Sequence, residues 1–174
     1  LTAAAISIVA GPLEPLREIP LPGVSGRIDH MAVAGGMLYI AALGNGSVEV
    51  VDLGKGQRVR SITGLREPQG IAVSTELKRV FIACAGDGAV HALDSGTFEE
   101  IASVKLGDDA DNIRLVGGVL SVGYGQGAIA VLDAATLGRK GEVKLNGHPE
   151  SFQIGRGGNR RCRQMDRVFR QMRV

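Results

Sequence analysis

A segment of about 40 residues repeats three times along this chain. The copies are Gly26–Leu65, Arg66–Gly107 and Asp108–Gly147, and a fourth begins at His148. Each copy holds two apolar runs, a Gly-rich turn, an alternating run that ends in Asp, and a final strand-like run. Four short strands per repeat predict an all-β fold for residues 13–155: a partial β-propeller, an arc of about three to four four-stranded antiparallel blades.

Within a copy, alternation and turn residues locate the strands. The four strands of the first copy are predicted at Ile28–Ala34, Met37–Ala42, Ser47–Leu53 and Arg58–Thr63. Asn45-Gly46 and Asp87-Gly88 predict type I′ hairpin turns, in which both central residues have positive φ. Glu49 alternates with Val48 and Val50, which predicts that its side chain faces outward.

Charge divides the chain unevenly. Residues 1–155 carry 13 Lys and Arg against 17 Asp and Glu, whereas residues 156–174 carry seven Arg against one Asp. The net charge of +2 therefore depends on the C-terminal segment, and the propeller part gives no indication of nucleic-acid binding. No run of about 18 apolar residues is present, so no membrane span is expected.

The two ends of the chain differ in composition from the repeats. Residues 1–12 begin with the apolar run LTAAAISIVA, which favours the remnant of a secretory signal over an edge strand or a disordered leader. Leu16–Leu21 resembles the outermost strand of a blade and is predicted to precede the first one. Apolar residues in 156–174 recur at helical spacing, which predicts a short basic C-terminal helix or a disordered tail. The abrupt switch of composition in mid-blade favours a tail that is not propeller sequence, as after a frameshift or a truncation, over a basic amphipathic helix that binds an anionic surface.

The second strand of each copy carries a recurring tetrad. The three tetrads are Tyr39-Ile40-Ala41-Ala42, Phe81-Ile82-Ala83-Cys84 and Ser121-Val122-Gly123-Tyr124. With the Gly-rich turn and the closing Asp, they resemble the YVTN-type β-propeller repeat family over about Leu13–Ile154. The resemblance implies a ring of about seven blades, of which this chain corresponds to a part. It also implies export from the cytoplasm, hence a periplasmic or secreted protein.

Polar residues cluster in the segments that lead into the first strand of each copy. In a propeller these segments lie at the mouth of the central channel, so their side chains converge on the axis. The candidate ligand-binding residues are Asp29, His30, Gln69, Asp111, Asn112 and Glu150. One carboxylate or amide per blade resembles the calcium sites of propeller lactonases, because Ca²⁺ prefers oxygen ligands. The alternative is that these groups cap strand ends and bond turn backbone.

Other recurring or reactive residues have structural explanations. Asp52, Asp94 and Asp133 each end the third strand of a copy, where an aspartate accepts hydrogen bonds from the backbone of the next turn. His91 falls in a strand pattern and is predicted to be structural. Cys84 also falls in a strand pattern, where a thiol behaves as a small buried apolar group. The sequence shows no CxxC pair, zinc-type spacing, disulfide framework or catalytic nucleophile motif.

These observations leave three hypotheses for function. The first is a non-enzymatic binding or scaffold module that needs no cofactor and recognises a protein or small-molecule ligand at the channel mouth. The second is a metal-dependent hydrolase with Ca²⁺ at the mouth, and the third is a truncated product without function. The lack of a catalytic motif favours the first. An open arc would also expose apolar blade faces and strand edges, which predicts self-association.

Overall fold

The computed structural model describes residues 15–155, which form three four-stranded antiparallel sheets arranged as a partial β-propeller arc. Each sheet is one blade, and its strands follow one another in chain order. The predicted leader at residues 1–12 and the predicted basic tail at residues 156–174 lie outside the described residues. Within residues 15–155, no helix is long and apolar enough to cross a membrane.

The strand bounds follow the repeat. The first sheet contains β1 (Met31–Ala34), β2 (Met37–Ala42), β3 (Ser47–Asp52) and β4 (Gln57–Thr63). The second contains β5 (Pro68–Ser74), β6 (Arg79–Cys84), β7 (Ala89–Asp94) and β8 (Glu100–Lys105). The third contains β9 (Ile113–Val116), β10 (Val119–Tyr124), β11 (Ala128–Asp133) and β12 (Arg139–Lys144). The arc of antiparallel blades predicted from the repeat is confirmed.

Register shows that the three sheets are copies of one unit. The first and second strands of each sheet pair at equivalent positions, which are Met31–Ile40, Ile71–Ile82 and Ile113–Val122. Each sheet also has a register shift between its third and fourth strands, at Val50/Val51, Ala92/Leu93 and Val131/Leu132. The innermost strands β1, β5 and β9 therefore present equivalent residues to the propeller axis.

Apolar side chains fill the two spaces between neighbouring sheets. Strand β6 contributes to both, because alternate residues point to opposite faces. Val80, Ile82 and Cys84 pack toward the first sheet, whereas Phe81 and Ala83 pack toward the third. The predicted burial of Cys84 is confirmed, and this burial raises the pKa of its thiol to about 12.

Glu49 does not face outward to solvent, so that prediction is wrong. Its side chain is fully buried in the first sheet. Ser47 Oγ and Ser61 Oγ donate to Glu49 Oε1 at 2.6 and 2.8 Å, and Arg58 Nη1 donates to Oε2 at 2.9 Å. A buried carboxylate is stable only when its oxygens are bonded in this way. Strand alternation identifies the face of the sheet, but it does not show whether a polar cluster closes over that face.

In the first two sheets, the turns between second and third strands are not of type I′. Gly46 and Gly88 have φ of 63°, but Asn45 and Asp87 do not have positive φ. The loops contain four residues, and in each the glycine N–H donates to the first carbonyl of the loop at 3.2 Å. Loops of this length are built around a helical turn, which requires left-handed backbone only at the glycine.

The predicted outer strand at Leu16–Leu21 is also absent. This segment forms no strand, and Leu16 is fully exposed. Its anchor is Arg17, whose Nη2 donates to the carbonyl oxygen of Leu53 at 2.9 Å. The apolar pattern of the segment does not produce a strand because it has no ladder partner within the described residues.

Candidate functional site

Three equivalent residues converge where the chain enters the innermost strands. Asp29, Gln69 and Asp111 each stand two residues before the aligned first-to-second strand pair of their sheet. Backbone bonds to the second strand hold two of them: Asp29 N–H donates to Ala41 O at 2.8 Å, and Asp111 N–H donates to Gly123 O at 3.0 Å. These bonds hold Asp29 and Asp111 at equivalent positions of the first and third blades.

The Gln69 side chain lies between the two carboxylates. With its amide nitrogen turned toward them, it donates to Asp29 Oδ2 at 3.1 Å and to Asp111 Oδ1 at 3.3 Å. Arg27 Nη2 also donates to Asp29 Oδ2, at 2.7 Å, from the rim. The first and third sheets are thus joined through a side chain of the second.

Gly70 permits this close approach. A Cβ atom at position 70 would overlap the carbonyl oxygen of Asp111 and lie 3.0 Å from the backbone nitrogen of Ile113. Only a residue without a side chain lets the segment before β5 pack directly on the segment before β9.

His30 and Asn112 follow Asp29 and Asp111 and meet beside them. Asn112 Nδ2 lies 3.0 Å from His30 Nε2 and donates to the carbonyl oxygen of Glu150 at 2.5 Å. His30 Nδ1 is 2.9 Å from Asp29 Oδ1, without the alignment of a hydrogen bond. His30 Nδ1 and Asn112 Oδ1 are both buried and lack a hydrogen-bond partner among the described residues.

His148 completes the group from the fourth copy. Its Nδ1 bonds the carbonyl oxygen of Gly125 at 2.6 Å, and its Nε2 lies 3.4 Å from Asp111 Oδ2. The backbone bond to Gly125 is the main reason that the pKa of His148 is raised. Burial is the main reason that the pKa of Asp111 is raised, against the opposing effect of His148.

The segment that carries His148 covers the third sheet. Pro149 is buried and packs over Gly123. The ring of Phe152 faces the Arg114 guanidinium, and the distance from Arg114 Cζ to the ring centroid is 5.6 Å. It forms no strand, although its sequence matches the first strand of a blade. The segment therefore occupies the place of a fourth blade's innermost element.

All six residues predicted at the channel mouth are brought together, and their role in binding a ligand stays a prediction. We call the following set the axial cluster: Asp29, His30, Gln69, Asp111, Asn112, His148 and Glu150. Glu150 is exposed at its edge, where its carboxylate, Asp111 and His148 place ligand atoms within 4.8 Å of one another. The candidate list from the sequence did not include His148, although it stands two residues before Glu150 in the same segment.

The repeated aspartates outside the axial cluster have the predicted structural role. Asp52 Oδ1 accepts the N–H of Lys55 at 2.9 Å. Asp94 Oδ1 and Asp133 Oδ1 each accept two backbone N–H groups of the following turn at 2.8 to 3.0 Å. These bonds lower the pKa of all three carboxyl groups, to about 2 for Asp133, where Lys140 contributes most.

Comparison with known proteins supports the fold. No protein-family model matches the chain, and no curated protein matches it in sequence. Kuenenia stuttgartiensis hydrazine synthase matches in structure with a TM-score of 0.60 and 21% identity, over 66% of this chain and 34% of that one. A europium-containing methanol dehydrogenase matches with a TM-score of 0.57 and 18% identity, over 70% of this chain and 26% of that one.

A computationally designed protein, Ika4, is also similar. Its TM-score is 0.65 at 20% identity, over 75% of this chain and 81% of that one. All three likenesses fall below 25% identity, so they show a propeller-like fold and nothing about activity. The chain spans about a third of the hydrazine synthase chain that it matches.

Proposed function

We propose that this chain is part of a YVTN-type β-propeller that binds a polar ligand at the channel mouth without catalysing a reaction. The observation that carries the proposal is the pair of buried, unbonded polar atoms in the axial cluster, His30 Nδ1 and Asn112 Oδ1. A buried polar group without a partner costs about 1–3 kcal/mol. A ligand that donates to Asn112 Oδ1 would remove the cost at that atom. Proteins of the YVTN-type family are often exported from the cytoplasm, which supports a periplasmic or extracellular location for this chain.

The charges of the axial cluster indicate the chemistry of that ligand. Asp29, Asp111 and Glu150 supply carboxylate oxygens, and Asn112 Oδ1 is a further acceptor. A site rich in acceptors favours a ligand that brings N–H donors and positive charge. The best fit is a primary amine or a guanidinium, either on a small molecule or on a side chain of a partner protein.

A metal-dependent hydrolase is the second candidate, favoured by one observation. Ligand atoms of Asp111, His148 and Glu150 lie within 4.8 Å of one another, close enough for one cation. Asp29 could add an oxygen ligand of the kind that Ca²⁺ prefers, as could Gln69 with its amide oxygen rather than its nitrogen turned toward the carboxylates. In that case the ion would polarise a substrate carbonyl, and the carboxylates would serve as its ligands rather than as acceptors for an amine.

Calorimetric titration of the purified chain separates the two candidates. The probes are agmatine, which carries a guanidinium and an amine, and CaCl₂ alone. We expect agmatine to bind and Asp111→Asn to weaken it at least about tenfold, the loss of one charge-assisted bond. Asp94→Asn, which changes an aspartate in a turn away from the axis, is the matched control and should bind as wild type does.

Each outcome of this titration assigns the site. Binding of CaCl₂ that is lost in Asp111→Asn, together with lactone turnover, would support the hydrolase and reject the proposal. Binding of neither probe would reject both candidates and leave the axial cluster with a structural role. Equal loss of agmatine in Asp94→Asn would show that the probe senses overall charge rather than the axial cluster.

A further inference from the structure

A second polar cluster lies on the hairpin of β6 and β7, away from the axis. Cys84 ends β6, Asp87 stands in the turn, and His91 lies in β7. Ladder pairing places Cys84 opposite Ala89 and Ile82 opposite His91, so Cys84 and His91 share one face as diagonal neighbours. The Cys84 Sγ, a carboxylate oxygen of Asp87 and a ring nitrogen of His91 all lie within 4.8 Å of one another.

His91 stands between two carboxylates. Its Nδ1 is 2.9 Å from Glu100 Oε2, and its Nε2 is 3.2 Å from Asp87 Oδ2. A neutral imidazole carries a single N–H, which can serve only one of these oxygens. In the neutral ring with Nδ1 donating to Glu100, the Nε2 lone pair faces the Asp87 carboxylate and two acceptors oppose each other, whereas an imidazolium donates to both oxygens. A cation bound between Nε2 and the Asp87 carboxylate would accept both lone pairs as ligands, so the two acceptors would no longer repel each other.

We propose that Cys84 Sγ, Asp87 and His91 Nε2 hold a divalent cation of the zinc class. Sulfur, imidazole nitrogen and carboxylate oxygen together are a zinc donor set, whereas Ca²⁺ and Mg²⁺ select oxygen. Glu100 accepts from the other ring nitrogen of His91, as carboxylates behind zinc-bound histidines commonly do to orient the ring. The whole set is local, because Cys84, Asp87 and His91 belong to one hairpin with two and three residues between them.

The cluster lies at one wall of a groove between the first and second sheets. The groove has a volume of about 260 Å³, and its lining includes Ile62, Leu65, Arg66, Asp87, His91 and Phe98. Asp87 and His91 line it, while Cys84 is fully buried behind them. Three protein ligands leave a fourth tetrahedral position free, and because Asp87 and His91 line the groove, a molecule in it would be close to an ion bound there. Zinc sites that act on a bound molecule have this arrangement, with water or the ligand in the fourth place.

Titration of the reduced, metal-free full chain with Co²⁺ tests the site. Co²⁺ takes the place of zinc and reports on its ligands, because a thiolate bond gives a near-ultraviolet charge-transfer band and tetrahedral coordination gives strong visible bands. We expect both signals to saturate at one ion per chain and to disappear when Zn²⁺ is added. Their absence from the wild-type chain would overturn the proposal.

Variants assign the signals to this cluster. Cys84→Ser should abolish the charge-transfer band, whereas Cys162→Ser, which removes the chain's other thiol, should leave it unchanged. Glu100→Gln should weaken binding about 10- to 100-fold while the band remains, because only the orientation of His91 is lost. His91→Gln, checked for folding by circular dichroism, tests the site independently of Cys84. A band that survives Cys84→Ser or His91→Gln, or that vanishes in Cys162→Ser, would contradict the assignment.

Discussion

At the scale of single residues, His148 shows how a local bond tunes the axial cluster. Its bond to the carbonyl oxygen of Gly125 and its nearness to Asp111 favour the protonated ring, so its pKa lies above the ordinary value of 6.5. Asp111 shifts in the same direction for a different reason, because burial disfavours its charge. The two groups therefore lose their protons in different pH ranges, and the net charge of the axial cluster changes with pH.

The raised pKa of His148 predicts a pH-dependent stability. A group with a folded pKa above its unfolded value stabilises fully below that unfolded value, near 6.5, and this contribution is lost as pH rises through the folded pKa. Urea unfolding measured from about pH 5.5 to about pH 8.5 should show a decline for wild type across this window. In His148→Gln, the free energy of unfolding should change less with pH over this window. Equal declines in both proteins would contradict the shift.

How well the sequence predicts the role of a residue depends on how close in sequence its hydrogen-bond partners are. Asp52, Asp94 and Asp133 bond backbone within a few positions, so the repeat was enough to assign them. Glu49 is bonded by Arg58 and Ser61 of the neighbouring strand β4, up to 12 positions away, and strand alternation does not reveal that cluster. Cys84, Asp87 and His91 lie within one hairpin, but their spacing matches no common zinc pattern, so only the structure shows that they are close together.

At the scale of elements, the repeat predicts strands well and their connections poorly. The bounds of β2 agree with the prediction, because an alternating run between two turns leaves little freedom of register. The turns after Ala42 and Cys84 differ from the type I′ prediction because the loops are two residues longer than such a turn requires. Leu16–Leu21 has the apolar pattern of a strand, but a strand also needs a neighbour to pair with.

Contact between neighbouring elements makes Gly70 sensitive to substitution. We predict that Gly70→Ala destabilises the chain by about 1–3 kcal/mol, the usual cost of overpacking. The reason is that the new methyl group meets the backbone of Asp111, which cannot move aside as a side chain can. Gly141→Ala in β12 is the matched control, because no atom lies within 4 Å of its Cβ position. Urea unfolding gives the free energy of unfolding of each variant. Equal values for Gly70→Ala and Gly141→Ala would contradict the packing described here.

At the scale of the whole molecule, the first sheet leaves apolar surface open. Met31 is 56% exposed and Val33 65%, while Ala32 and Ala34 on the other face of β1 pack toward the second sheet. Ile28, just before β1, is 41% exposed. Met31 and Val33 are two residues apart on β1 and therefore share one face of the sheet, so they form a patch rather than isolated exposed residues.

This patch supports the prediction that the chain self-associates. Light scattering at micromolar concentration should give a mass well above the 18.1 kDa of one chain. The double change Met31→Ser and Val33→Ser should shift the mass toward that of one chain, because it removes apolar surface without touching the buried face of β1. A monodisperse monomer for the wild type would show that this patch does not drive association.

The central claim is that segments from the first and third blades meet in one axial cluster, and a double-mutant cycle between Asp29 and Asp111 tests it most directly. The two residues are far apart in sequence, but Gln69 and His30 contact both. The free energies of unfolding of Asp29→Asn, Asp111→Asn and the double variant should show a coupling of at least about 0.5 kcal/mol. Asp52 and Asp133, which occupy separate turns of the same two blades, form the control pair and should be additive. Additive effects for Asp29 and Asp111 as well would mean that the two carboxylates do not share a site.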